Sequence, residues 1–67
     1  MMTSAELFAW RTRLGLSQQK AAAVLHYDIR TIQRYEKGTL DVPFLVEQLC
    51  RYLELRHTLR SYLGDPT

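Results

Sequence analysis

The chain is 67 residues long, enough for one small domain and no second. Its one cysteine excludes an internal disulfide, and Cys50 with His26 and His57 falls short of the roughly four ligands of a structural zinc site. At 46% hydrophobic, 24% charged and net +2, the composition is that of a folded domain, and no apolar run approaches the roughly 20 residues of a membrane span.

Domains this small often gain stability from a disulfide, a metal or a partner subunit. With the first two absent, a partner subunit is expected. Met1 to Trp10 carry no basic stretch ahead of an apolar one, so no signal peptide is expected. The expected location is the cytoplasm, with no role for a membrane.

Thr3-Ser4-Ala5-Glu6 reads as a capping box, in which Thr3 and Glu6 satisfy each other's backbone N–H. Helix 1 then runs from about Ser4 to Leu14, and Gly15 closes it in a left-handed conformation. Ser17 is the second N-cap, opening a helix over Gln18 to Leu25 in which Ala22 and Ala23 are small enough for a close neighbour. After His26 and Tyr27, Asp28 is the third N-cap. Helix 3 covers about Ile29 to Lys37, with Ile32 and Tyr35 on one face, and Gly38 ends it. Thr39 to Val42 form a loop, and Pro43 takes the first position of helix 4. Nothing breaks a helix from Phe44 to Leu63, although a division near Arg56-His57-Thr58 is an alternative. Pro66 lies past the end. No strand signal or internal repeat is present, so the fold class is all-α, a compact domain of four or five helices. Trp10, Phe8, Tyr27, Tyr35 and Phe44 are expected in the core, Cys50 as a small buried hydrophobe, and His57 at the surface.

The charge is uneven. Arg11 to Lys37 hold six basic residues against two acidic ones, while the segments on either side are each slightly acidic. A basic centre suits an anionic partner. Two short helices joined by a tight turn form a helix-turn-helix pattern at about residues 17–37, a unit that lays its second helix in the DNA major groove.

Leu16-Ser17-Gln18, Ala21-Ala22, Leu25, Ile32 and Tyr35-Glu36-Lys37-Gly38 resemble the lambda-repressor-like helix-turn-helix of the Cro/cI type, the XRE family. The resemblance spans about Ala9 to Pro43. One position departs from it: the family usually has Gly in the turn where this chain has His26, a residue that tolerates positive φ at some cost. More weakly, Ser17-Gln18, Ala21-Ala22, Asp28 and Arg34-Tyr35 are similar to the phage anti-CRISPR-associated autorepressors, small dimeric proteins that silence their own operon.

The resemblance implies base contacts from helix 3. Arg30 and Arg34 would present two-pronged donors to guanine, Gln33 would read adenine, and Ile29 would touch a thymine methyl. Gln18, Gln19, Lys20, Thr31, Lys37 and Thr39 would meet phosphates, with Arg13 a weaker candidate; such contacts position the protein without reading sequence. The resemblance also pairs Arg11 with Glu36 in a partly buried ion pair joining helix 1 to helix 3.

The apolar stripe of residues 44–63 is larger than a three-helix core needs. Its later part, Tyr52, Leu55, Leu59, Tyr62 and Leu63, is the candidate self-association surface; a fifth helix folding back on the same domain is the alternative. The expected function is a homodimeric, sequence-specific transcriptional repressor on a palindromic double-stranded DNA operator, blocking polymerase and needing no cofactor, metal or small-molecule substrate. An antitoxin or adaptor, binding another protein through its apolar C-terminal region, is the second hypothesis. Paired carboxylates, a Cys–His pair and a glycine-rich phosphate loop are all missing, so no enzyme is expected.

Overall fold

The computed structural model describes residues 1–64. Pro66, read above as lying past a helix end, is outside the described residues. Four helices and no strand make up the described residues: α1 (Ser4–Arg13), α2 (Gln18–Leu25), α3 (Ile29–Lys37) and α4 (Phe44–Leu63).

The helices start where their caps dictate. Thr3 Oγ1 accepts from the Glu6 N–H at 3.1 Å, and the Thr3 N–H donates to Glu6 Oε1 at 2.8 Å, which completes the capping box. The Thr3 backbone N–H on the carboxylate, and then the Thr3 hydroxyl beside it, hold the Glu6 carboxyl below the usual range. Ser17 Oγ accepts from the Lys20 N–H at 3.1 Å. Asp28 occupies the N-cap of α3, but its side chain makes no capping bond, which corrects its expected role. Pro43 also stands one place earlier than expected. It is the N-cap of α4 in extended conformation, not the first helical residue.

The first three helices end alike. Residues Gly15, His26 and Gly38 have φ of 69°, 61° and 82°. In each case the next N–H turns back five residues: Leu16 to the Arg11 carbonyl, Tyr27 to Ala22 and Thr39 to Arg34. This closure satisfies carbonyls left free at a helix end, and it requires the left-handed region. Glycine enters that region without strain, whereas a side chain costs about 1–2 kcal/mol there. His26 therefore sits in a conformation the turn needs and the residue resists.

The core is Leu7 and Trp10 from α1, Ala21, Ala22 and Leu25 from α2, Ile32 and Tyr35 from α3, Val42, and Val46 and Cys50 from α4. Each buried Val, Leu or Ile stabilises the fold by about 1.5–3 kcal/mol. The Trp10 indole N–H donates to the Cys50 carbonyl at 2.9 Å, which pins α1 to the middle of α4. Burial pushes the Cys50 thiol up to about 12, helped by the nearby Glu54 and Glu47 carboxylates.

Three aromatic residues expected in the core lie outside it. Phe8, Tyr27 and Phe44 are 52%, 40% and 70% exposed. Phe8 lies one position along α1 from Leu7, on a different face, where the Arg11 guanidinium sits 5.1 Å above its ring. Tyr27 packs edge-on against Tyr35, with centroids 6.3 Å apart. Phe44 is in the first turn of α4, off the face that carries Val46 and Cys50.

Helix α4 is one unbroken run of 20 residues, so the division near Arg56 to Thr58 does not occur, and no fifth helix folds back among the described residues. A helix of that length spans about 30 Å, most of the 38 Å long dimension of the molecule. Its first half packs on the domain. Its second half, from Leu55 onward, is exposed throughout.

Candidate nucleic-acid interface

Helix α3 is held by its inner face and presents its outer face to solvent. Ile32 is fully buried and Tyr35 is 3% exposed. At 3.6 residues per turn, Arg30 and Arg34 point roughly 160–200° away from Ile32. Gln33 and Lys37 widen this outer face, and all four side chains are exposed. The result is a polar strip with three cations and no acid.

The inner edge of the strip is tied down by a four-residue network. Arg11 Nε donates to Glu36 Oε2 at 2.7 Å and Nη2 donates to Oε1 at 3.0 Å. Arg11 Nη1 also donates to the Leu16 carbonyl at 3.1 Å, closing the turn after α1. The two side chains retain 14% and 9% of their exposure, so this forked pair is largely out of water. Burial pushes the Glu36 carboxyl up, but hydrogen bonds from Arg11 and Gln18 outweigh it and hold the group below the usual carboxylate range. The hydrogen bond to Glu36 likewise raises Arg11.

Gln18, expected at a phosphate, also makes side-chain contacts that the sequence did not disclose. Its side-chain amide donates to Glu36 Oε1 at 3.1 Å and its carbonyl accepts from Gln33 Nε2 at 3.5 Å. The first turn of α2 is thereby joined to the exposed face of α3. No spacing rule exposes such a contact, because the residues are 15 and 18 positions apart.

The remaining expected site residues divide by position. Ile29 is half-buried against the core, at the start of α3. Gln19 and Lys20 are exposed on α2, and Thr31 is half-buried on α3. Thr39 is exposed after α3, and its hydroxyl donates to the Arg34 carbonyl at 3.3 Å. Arg13 faces elsewhere: it forks onto Glu54 of α4, with both contacts at 2.9 Å. Tyr52, Leu55, Leu59, Tyr62 and Leu63 form a separate surface on α4, all of them exposed.

The family described as a helix-turn-helix domain matches residues 4–63. The chain belongs to the helix-turn-helix domain family. No curated protein and no solved structure matches it. Membership makes this a DNA-binding helix-turn-helix protein, the class implied by the lambda-repressor-like resemblance. In a helix-turn-helix domain the second helix of the unit enters the major groove. The second helix of the unit in this chain is α3, and the first is α2. Among the described residues of this helix-turn-helix domain, no helix is long and apolar enough to cross a membrane.

Proposed function

We propose that the protein is a transcriptional repressor that binds a palindromic operator as a homodimer, with α3 of each copy in the major groove. The observation that carries this reading is the outer face of α3. Arg30, Gln33, Arg34 and Lys37 line one exposed strip on a helix whose opposite side is locked into the core.

Arg30 and Arg34 have the forked donors that match guanine O6 and N7, and Gln33 has the donor–acceptor pair that matches adenine. Ile29 is positioned at the start of α3 to meet a thymine methyl. Gln18, Gln19, Lys20, Thr31, Lys37 and Thr39 surround this strip in sequence and supply phosphate contacts, which set register rather than specificity. The Arg11–Glu36–Gln18 network fixes the angle at which α3 is offered. The whole chain, residues 1–67, acts as one unit, with residues 44–63 serving self-association. Two copies related by a two-fold axis read half-sites about 34–36 Å apart. Repression follows from occluding polymerase, and the operator lies upstream of the protein's own gene.

The test is fluorescence anisotropy with that upstream DNA and with a scrambled duplex, across several salt concentrations. The expected result is affinity at least about 10³-fold higher for the upstream DNA. A steep loss of binding with salt is expected as phosphate contacts release counterions. Equal, weak binding to both duplexes overturns the reading and favours an adaptor that works through its apolar C-terminal region.

A further inference from the structure

Helix α4 has two apolar faces, and the domain uses one. Val46 and Cys50 are buried and Leu53 is half-buried, all on the side that packs against the domain. At about 100° per residue, Leu55, Leu59 and Tyr62 fall roughly opposite that side, and Leu45 and Tyr52 lie about 110–130° around the helix from it. Each is at least 48% exposed. Their spacing of seven, three, four and three is a heptad pattern, with Leu45, Tyr52 and Leu59 at one core position and Leu55 and Tyr62 at the other. This second stripe runs the full length of α4 and continues past the point where the domain ends. Such a stripe is the surface that pairs one helix with another.

The charges beside the stripe say which way the partner runs. The flanking positions hold Phe44, Arg51 and Thr58 on one side and Leu49, Arg56 and Leu63 on the other. The only charges among them are two arginines. In a parallel pair, flanking residues five apart meet across the interface, which sets Arg51 of each copy against Arg56 of the other, twice. Glu47 offsets Arg51 from within the same helix at 2.8 Å and Glu54 is forked by Arg13, so among the described residues neither acid pairs with Arg56, which keeps its charge at that contact. In an antiparallel pair each flank meets its own kind. Overlapping residues 44–63 completely then sets Arg51 beside Thr58 and Arg56 beside Leu49. The same register stacks Leu45 on Tyr62 and Tyr52 on Leu55, and sets Leu59 against Gln48, the one polar residue among the core positions.

Resting on the homodimer reading above, we propose that two copies associate through this face of α4, antiparallel, with Leu45 of one copy beside Tyr62 of the other. The two-fold axis crosses α4 between Leu53 and Glu54. The same patch serves both copies, so the assembly closes at two.

Cysteine cross-linking tests this directly. Leu45→Cys and Tyr62→Cys are made in the full chain, oxidised alone and as an equimolar mixture, and run on a non-reducing gel. The native Cys50 is fully buried and stays out of the reaction. A cross-linked dimer that forms only in the mixture is the expected result, because like positions lie about 26 Å apart along an antiparallel pair. Cross-linking of each variant alone means a parallel pair and overturns the inference while leaving the homodimer intact. No cross-link from a native chain that sediments as a dimer means another surface is used, which also overturns it. A native chain that sediments as a monomer overturns both the inference and the homodimer reading. Leu59→Glu, in the exposed second half of α4, is expected to give a monomer whose helix content is unchanged. If Leu59→Glu remains a dimer, this face is not the interface.

Discussion

The Arg11–Glu36 pair offers the sharpest test of how the recognition helix is held. Replacing Glu36 with Ala removes both prongs of the fork and the acceptor for Gln18, and leaves the Arg11 guanidinium 14% exposed without an anion. Breaking a buried pair by removing one partner costs about 3–5 kcal/mol, whereas an exposed pair contributes about 0–1. Arg11 keeps its bond to the Leu16 carbonyl and its place over Phe8, which favours the lower end, about 3 kcal/mol. For a domain this size that corresponds to a fall in Tm of roughly 12–24 °C. The whole fold is worth only about 3–10 kcal/mol at 0.05–0.15 kcal/mol per residue, so the variant sits near the edge of folding. Thermal melts followed by far-ultraviolet circular dichroism at pH 7 measure the shift. The pH dependence has a definite sign. Glu36 is held below the usual carboxylate range, so its contribution is present at neutral pH and is lost as pH falls through its lowered value. The gap between native protein and variant therefore closes in acid, below about pH 4. The exposed Arg13–Glu54 fork serves as the control, since Arg13→Ala is expected to change stability by less than about 1 kcal/mol. A Glu36→Ala shift under about 4 °C at pH 7, or one that persists unchanged in acid, refutes the buried-pair account.

Three further outcomes are expected. Arg34→Ala weakens binding to the specific operator by about 1–3 kcal/mol, or roughly 5- to 150-fold, while leaving the melting temperature in place; anisotropy titrations alongside melts separate the two effects. His26→Gly relieves the left-handed turn and raises stability by about 1 kcal/mol, visible as a higher Tm, whereas a β-branched residue there lowers it. Ser17→Ala costs about 1 kcal/mol because its hydroxyl caps α2, while Asp28→Ala costs less, because Asp28 makes no capping bond; paired melts of the two variants decide this.

How much the sequence disclosed depended on whether the signal was local. Helix boundaries came from caps and glycines, and the four helices appear within a residue of their expected ends. The apolar stripe of α4 is visible for the same reason, since it lies within one element. Which side of a helix an aromatic residue takes is set by the neighbouring helix. Phe8 and Phe44 therefore read as core residues and stand in solvent. The contacts of Gln18 with Glu36 and Gln33, and the fork between Arg13 and Glu54 across 41 positions, depend on how α2 and α4 pack. Residue type and spacing carry no trace of them. The Arg11–Glu36 fork crosses a comparable distance, and a family resemblance rather than any spacing rule suggested it.

Trp10 is the only tryptophan, and its ring sits 1% exposed with its N–H on the Cys50 carbonyl. The protein therefore carries its own optical reporter at the joint between α1 and α4. A dry indole emits at shorter wavelength than one in water, so the emission maximum follows the docking of α4 without any dye. The reporter is local. The last turn of α4, Arg60 to Leu63, lies at least about 15 Å beyond Cys50 along the helix. Fluorescence thus reads the docking of α1 on α4, while sedimentation reads association along the exposed face of α4, and one protein sample yields both signals.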